Sequence, residues 1–535
     1  MKKILLLCVI LFQYNAMAQQ DAWVYFNAKD NVESLISNPI SILTQEAIDR
    51  KNTHGIVIDE RDVPVNETYI SLLKVPETGV TVFAKSKWLN AVYVRGSIDN
   101  INALVNDFAF VESVEFADKS LNSNSRVEQI DDKFLIEESQ VAFNYGNTQN
   151  QVEMINANVL HLDDYTGEGI VVAVLDAGFT NVNTMGAFQR LRDNGDLLDG
   201  YDFVSRNNNV YAFTGNDHGT KVLSDMAGFI QDQFVGTAPD ASYYLFRTED
   251  VASETPVEEA YWVEAAERAD SLGVHIINSS LGYKNYQNTN YSHTNEDLDG
   301  STTFITRGAN IANEKGILVV SSAGNSGASG VGAPADGTGV LSIAAVDADG
   351  NYAAFSSQGS IFQPTQKPDV ATQGLAAFVI DNLNTIVNNN GTSFSSPIMA
   401  GGIASLWQAL PNATSEEIKD YVRQSASQYT TPDYFLGYGI PNLQLALDIG
   451  LSLQEEEFFE FKVYPNPAVN ILNIQIPSVN ENTTLTIYDI LGKTILEQNM
   501  IQPSSQLDVS SMSSGVYILS FQSGEASKTF KFIKS

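Results

Sequence analysis

The spacing of apolar positions changes character several times along this chain, and each change marks a region. Residues 1–18 set Lys2 and Lys3 before an unbroken apolar run, Ile4 to Phe12, and close on Ala16-Met17-Ala18. A membrane span needs about 20 apolar residues, so this shorter run with a small-x-small ending is expected to be a cleaved secretory signal peptide. From 19 to 140 the periods mix. Trp23–Phe26, Val80–Phe83, Ala91–Val94 and Val111–Phe116 read as strands, Leu43–Arg50 as a helix, and Ile98, Ile101, Leu104, Val105 and Phe108 fall at helical spacing. The pattern predicts a small α+β domain with a linker or processing region, polar from about 120 to 150.

Between 141 and 450, short continuous apolar strands alternate with longer helical patterns, as in βαβ units around a buried parallel sheet. Strands are expected at Ile170–Leu175, Tyr243–Phe246, Val274–Ile277, Ile317–Val320 and Val340–Ala345. Helices are expected at Thr220–Ile230, Pro256–Leu272, Thr303–Lys315 and Ser393–Leu410. Together they predict one large α/β domain with a mostly parallel sheet. Residues 451–462, with Glu455-Glu456-Glu457, read as an acidic linker. Beyond it Leu472, Ile474 and Ile476 alternate with polar residues, as do Leu485 and Ile487. Turns at Leu491-Gly492-Lys493, Ser514-Gly515 and Ser523-Gly524 complete a small β-sandwich over 463–535.

Charge narrows the choice of partner. Against 64 Asp and Glu the chain of 535 residues has 30 Lys and Arg, a formal charge of −34. So acidic a protein is not built to neutralise phosphates, which excludes nucleic acid. Its single cysteine, Cys8, lies in the signal segment, so the exported protein has no disulfides and relies on core size or bound ions for durability.

In the α/β domain, reactive side chains stand where parallel-sheet proteins build sites, at carboxyl ends of strands and starts of helices. A buried strand ends in Asp176-Ala177-Gly178. Asn216-Asp217-His218-Gly219-Thr220 precedes an amphipathic helix, and Asn390-Gly391-Thr392-Ser393 opens a long apolar one. Singly, each has an ordinary reading as a turn, a structural histidine or an N-cap. The other histidines offer less: His54 lies in the small N-terminal unit, His161 precedes the first strand, His275 sits in an apolar run and His293 in a polar loop.

In the order Asp, His, Ser and with these flanks, the segments resemble those of the subtilisin-like serine proteases (peptidase family S8) over about 150–450. The resemblance implies that Asp176 orients and stabilises the imidazolium, His218 is general base and then acid, and Ser393 is the nucleophile. Val319-Val320-Ser321-Ser322-Ala323-Gly324-Asn325 is similar to the family's strand ending in its oxyanion asparagine, which makes Asn325 that donor beside the N–H of Ser393. Asn278-Ser279-Ser280-Leu281-Gly282 resembles the strand-edge segment that pairs with extended substrate. Ser280, Leu281, Gly282, Ala323 and Gly324 are the implied substrate-binding residues, and a polypeptide is the implied substrate.

Several positions depart from the family. Lys221 replaces a second histidine, and its charge would lower the pKa of His218 if it faced the ring. Ala177 stands where Ser or Thr is common, and Thr372-Gln373-Gly374 replaces Ala-Pro-Gly. No cofactor is required and no metal ligand is assigned. The segment Ile230–Phe234 lacks the family's Asn-rich calcium loop, and Glu296–Gly300 reads as a solvated turn rather than an ion site, so structural calcium is unsupported.

The flanks are those of an exported zymogen. Residues 19–140 have the pattern and position of a subtilase propeptide. Tyr464-Pro465-Asn466-Pro467, Ile487-Tyr488-Asp489 and Gly515-Val516-Tyr517-Ile518-Leu519 resemble the sorting domain of the type IX secretion system, which implies that machinery as a partner and release to the medium or cell surface. The sequence therefore predicts a secreted serine endopeptidase; the alternative is a catalytically silent surface adhesin or binding module on the same fold. A serine esterase would want a Gly-x-Ser-x-Gly elbow and the serine first in order.

Overall fold

The computed structural model describes residues 19–122, 143–459, 462–475, 484–489, 492–499, 504–523 and 526–535. The expected signal peptide, the middle of the polar stretch (123–142), Ile476 and Leu491 lie outside them. The chain forms two compact units divided at Leu447.

The first strand, β1 (Gln19–Phe26), carries large apolar groups on both faces, so both must be covered. It lies in an antiparallel sheet ordered β2 (Val80–Ser86), β3 (Ala91–Ser97), β1, β4 (Val111–Phe116). Ala22, Val24 and Phe26 face a local core with Val92, Val94, Ile101 and Leu104, beneath the helix Ile98–Asp107. The alternate residues, Trp23 and Tyr93, join a different core with Trp262 and Phe304 of the large domain. In β2 a register shift between Val82 and Ala84 carries the strand from one core to the other. The small domain thus rides on the helices Val257–Ser271 and Phe304–Glu314.

Its polar contacts there are buried as well. Asp270 takes both Arg50 (2.7 Å) and Lys51 (2.8 Å), with all three side chains at most 1% exposed. Lys315 reaches Asp62 at 2.7 Å, and Glu267 accepts from Ser86 Oγ (2.6 Å) and the N–H groups of Lys87 (2.8 Å) and Trp88 (2.9 Å).

The large domain contains β5 (Val171–Asp176), β6 (Leu197–Asp202), a hairpin of β7 (Phe229–Ile230) and β8 (Phe234–Val235), β9 (Ser242–Arg247), β10 (Ile276–Ser279), β11 (Leu318–Ser322), β12 (Val340–Val346), β13 (Val370–Gln373) and a hairpin of β14 (Ala377–Ile380) and β15 (Ile386–Asn389). Seven strands form one sheet in the order β13-β12-β11-β10-β5-β9-β6, each neighbouring pair parallel. After β9 the chain crosses back past β5 to lay β10 on its other side, and a parallel sheet opens a crevice at such a reversal, outside the carboxyl ends of the strands.

The expected helices appear as His218–Ala227, Val257–Ser271, Phe304–Glu314 and Thr392–Ala409. Val274 is not yet strand, because its N–H closes the preceding helix on Ala269 O. β6 and β13 escape sequence reading: β6 is a half-exposed edge strand broken by a register shift, and β13 has only Val370 and Ala371 as apolar residues. The stretch expected as an acidic linker is helical to Phe459, in a helix that starts at Leu443; glutamates in a row are good helix formers. Among the described residues no helix is long and apolar enough to cross a membrane.

In the second unit, β16 (Lys462–Tyr464), β17 (Ile471–Gln475) and, after a second sheet has begun, β20 (Ser504–Asp508) form one antiparallel sheet. The other sheet is ordered β19 (Thr494–Asn499), β18 (Thr484–Asp489), β21 (Gly515–Ser523), β22 (Ala526–Lys534). Leu472, Ile474, Leu485 and Ile487 all reach the shared core, as the period-2 pattern requires.

Candidate active site

Asp176 is the last residue of β5 and fully buried, while His218 is the first residue of its helix. Gly219 allows them to meet: a Cβ there would stand 2.7 Å from Gly178 O and 2.9 Å from Asp176 Cβ. His218 Nδ1 lies 2.8 Å from Asp176 Oδ1, which also accepts from Ala177 N–H at 2.7 Å. Asp176 Oδ2 has no partner among the described residues. A carboxylate on Nδ1 fixes the tautomer that leaves the Nε2 lone pair free to take a proton.

Ser393 is the second residue of the helix Thr392–Ala409 and 9% exposed. Four residues on, Pro397 has no N–H to give to Ser393 O. The Ser280 hydroxyl makes that bond instead, at 2.8 Å, and is in turn held by Asn278 Nδ2 at 3.2 Å. Asn278 Oδ1 accepts from Ser396 Oγ at 2.9 Å. Side chains from β10 and the turn after it thus complete the first turn of the serine's helix. Among the described residues the Ser393 hydroxyl bonds to Ser280 O at 3.4 Å and not to His218, a looseness ordinary in a site without substrate.

Asn325, exposed just past β11, has its amide oxygen committed: Oδ1 accepts from Thr392 N–H (2.9 Å) and Thr392 Oγ1 (3.1 Å). Its Nδ2 donors are therefore the free end. A Cβ built on Gly391 (φ +152°) would lie 3.5 Å from Asn325 Nδ2 and 3.6 Å from Ser393 N. Glycine thus keeps open a space flanked by two donors at the positive end of a helix, where an oxyanion fits.

Burial presses the pKa of His218 down, but the charge and hydrogen bond of Asp176, with Glu249 adding to them, outweigh it, and the net direction is upward. Lys221 opposes them as the smallest named influence, its ammonium 2.9 Å from Asp217 Oδ1. Lys221 thus lowers the His218 pKa, as its charge requires, but Asp176 and Glu249 outweigh it. Glu249 itself is missed by sequence reading. It follows β9, accepts Tyr283 Oη at 2.8 Å, and its carboxylate gathers with those of Glu254 and Glu258 within 4.8 Å. Burial and the neighbouring carboxylates raise the pKa values of Glu249 and Glu258.

Of the expected lining residues, Ser280, Leu281 and Ala323 are buried, Gly324 is half-buried and Gly282 exposed. β10 is a central strand, so no sheet edge is offered at 278–279. Past its end, however, the main chain of Leu281 and Gly282 makes no hydrogen bond among the described residues, until Tyr283 pairs with Ala333. His275, half-buried, accepts from Val171 N–H, and His161, buried, contacts Tyr145 and Thr237; loss of hydration pushes them down to about 3 and about 4. His293, expected in a polar loop, is 8% exposed and contacts Glu259.

The residues do not fit a calcium ion where the fold family invites one. The 230–234 segment is a tight hairpin with one carboxylate, Asp232. Asp299 is used by the N–H groups of Ser301 and Thr302, and Asp297 by Lys119 and Thr294.

Three segments of the chain each match a known family. Residues 167–439 match the Subtilase family, residues 21–133 the Peptidase S8 propeptide domain of Bacteroidota, and residues 462–535 a secretion system C-terminal sorting domain. Subtilisin DY of Bacillus licheniformis is 28% identical over 302 residues, 55% of this chain and 97% of its own. Subtilisin E of Bacillus subtilis is 29% identical over 341 residues, 62% of this chain and 78% of its own. MycP1 from Mycobacterium smegmatis, a solved structure, is similar at 22% identity and a TM-score of 0.45, covering 59% of this chain and 89% of that one. The chain belongs to the subtilase family: it is a serine endopeptidase with a propeptide, and its sorting domain marks it for type IX secretion to the cell surface or beyond.

Proposed function

We propose that Asp176, His218 and Ser393 are the catalytic triad and that Asn325 Nδ2 and Ser393 N–H form the oxyanion hole. The observation that carries this is the Thr392 clamp on Asn325 Oδ1, which turns the amide's donors toward the space beside Ser393 N. The Asp176–His218 bond at 2.8 Å supports the same assignment. Ser393 Oγ attacks the scissile carbonyl carbon while His218 Nε2 takes its proton, and Asp176 stabilises the imidazolium. The carbonyl oxygen gains charge between the two donors. His218 then gives the proton to the departing amine, and water, activated by the same ring, hydrolyses the acyl-enzyme.

The substrate chain runs along Ser280, Leu281 and Gly282 on one side and Ala323 and Gly324 on the other. The free main-chain groups of Leu281 and Gly282 support pairing with an extended peptide. We divide the precursor into a signal peptide (1–18), propeptide and linker (19–140), peptidase domain (141–450), an acidic connector (451–462) and a sorting domain (463–535) that engages the type IX machinery. The lone Asp232 of 230–234 and the engaged Asp297 and Asp299 favour no calcium at those two places. The deciding experiment expresses the precursor without its signal, as wild type and as Ser393→Ala, and follows intact mass and casein cleavage. Wild type is expected to shed about 120 N-terminal residues and digest casein, and the variant to do neither. Equal behaviour of the two would remove Ser393 from the mechanism.

A further inference from the structure

Where the propeptide domain ends, one contact has an unusual partner. Lys119 Nζ lies 2.8 Å from Nδ1 of His293, and His293 Nε2 lies 2.7 Å from Glu259 Oε1. An ammonium group has donors only, so Nδ1 must present a lone pair and the ring's single proton sits on Nε2, donated to Glu259. The neutral ring is therefore an acceptor for the propeptide. A proton on Nδ1 would set an N–H against an ammonium, with like charges in a site where His293 is 8% exposed.

The charged and titratable groups around the ring come from several elements. Lys119 belongs to the propeptide domain and pairs also with Asp297 Oδ2 at 2.8 Å. Glu259, on the helix Val257–Ser271, is held by Tyr286 Oη (2.5 Å) and Ile305 N–H (3.0 Å), and Tyr286 packs edge-on to the ring. Asp336 acts on His293 through charge and is fixed by Thr306 Oγ1 and Gly300 N–H. Beside Lys119, Asp118 Oδ2 accepts from Asn290 Nδ2 at 3.1 Å. Glu259, fully engaged, keeps its place whichever form the ring takes, so the contact that changes is the one to Lys119.

We propose that His293 is a proton-operated latch on the propeptide: the neutral ring accepts Lys119 and holds the end of that domain, and protonation ejects it, so that acidification hastens propeptide release. The proposal rests on the 19–122 domain being the inhibitory propeptide.

The test uses the processed full-length protein captured through a C-terminal tag, measuring how fast cleaved propeptide leaves it at pH 5.5 and at pH 7.5. Loss of one charge-assisted bond predicts release about tenfold faster at the lower pH. His293→Gln, which can accept from Lys119 and donate to Glu259 without titrating, should release at the slow rate at both. Lys119→Met, changed at a partly exposed side chain, should release fast at both and guards against a folding defect in the first variant. His54→Gln, altering the other histidine of the interface, should keep the wild-type dependence. A wild type indifferent to pH, or a His293→Gln that keeps the full dependence, overturns the latch; in the latter case Glu267, which burial pushes up to about 7, is the next group to test. If propeptide leaves as predicted while the complex was never inhibited, the inhibitory reading fails and the latch survives.

Discussion

The active site, at the helices His218–Ala227 and Thr392–Ala409, and the propeptide interface, on Val257–Ser271 and Phe304–Glu314, are both built from ionisable side chains, yet they treat charge in opposite ways. In the interface the ion pairs are closed and buried, Asp270 with Arg50 and Lys51 and Lys315 with Asp62, while Glu267 is held by neutral donors. There burial alone would raise the Asp270 pKa, and the two cations reverse it. In the site the groups are under-committed. Ser393 makes one long bond, Asn325 leaves its donors free, Asp176 Oδ2 is bare, and Glu249 has no cation among the described residues. A surface that only holds gains from closing every bond, whereas one that reacts must keep bonds available for the transition state.

This contrast can be broken from the reactive side first. Ser393→Ala should lower kcat by about 10⁶, a magnitude taken from a subtilisin, with no change in melting temperature. Asn325→Leu should lower kcat by about 10²–10³ (again a subtilisin figure) with little change in KM, because the donor serves the oxyanion alone. Gly391→Ala should do comparable damage by filling the same space, and steady-state kinetics on one peptide substrate checks both.

From the holding side, Asp270→Ala leaves Arg50 buried without its partner and Lys51 with only Asp62, 3.3 Å away, and should cost about 3–5 kcal/mol, read as a lower denaturation midpoint of the uncleaved precursor carrying Ser393→Ala. The mature enzyme, lacking Arg50 and Lys51, should lose far less. An equal loss in both would mean the pair does not serve the interface. The smallest effect concerns pH. Glu249 helps raise the His218 pKa, so Glu249→Gln should lower it, keep the ring neutral to more acidic conditions and move the acidic limb of the kcat/KM profile downward. An unmoved limb would place Glu249 outside the electrostatics of the base.

Much of this was legible in the sequence where chemistry and period coincide. The strand ending at Asp176, the helix starts at His218 and Ser393, and the glycines beside them are local signals, because each reflects the backbone of its own segment. The first strand also signalled its environment, since Trp23-Val24-Tyr25-Phe26 has no polar face and a strand so made must be covered twice. What sequence could not supply were relations between segments. That Ser280 completes the Ser393 helix follows only when Pro397 and the turn after β10 are seen together. A proline four residues after the serine was the available clue. Glu249 beside His218, and His293, in a loop as expected but buried against Glu259 and Lys119, depend on contacts across the fold that no periodicity encodes.

The central claim, that Asp176 and His218 activate Ser393, is tested most directly by intact mass and peptide mapping after treatment with a serine-directed sulfonyl fluoride. Mature wild type should gain one adduct, on Ser393, and His218→Ala should gain almost none over the same time. An adduct on another residue, or equal labelling of Ser393 in the His218→Ala protein, would contradict the account.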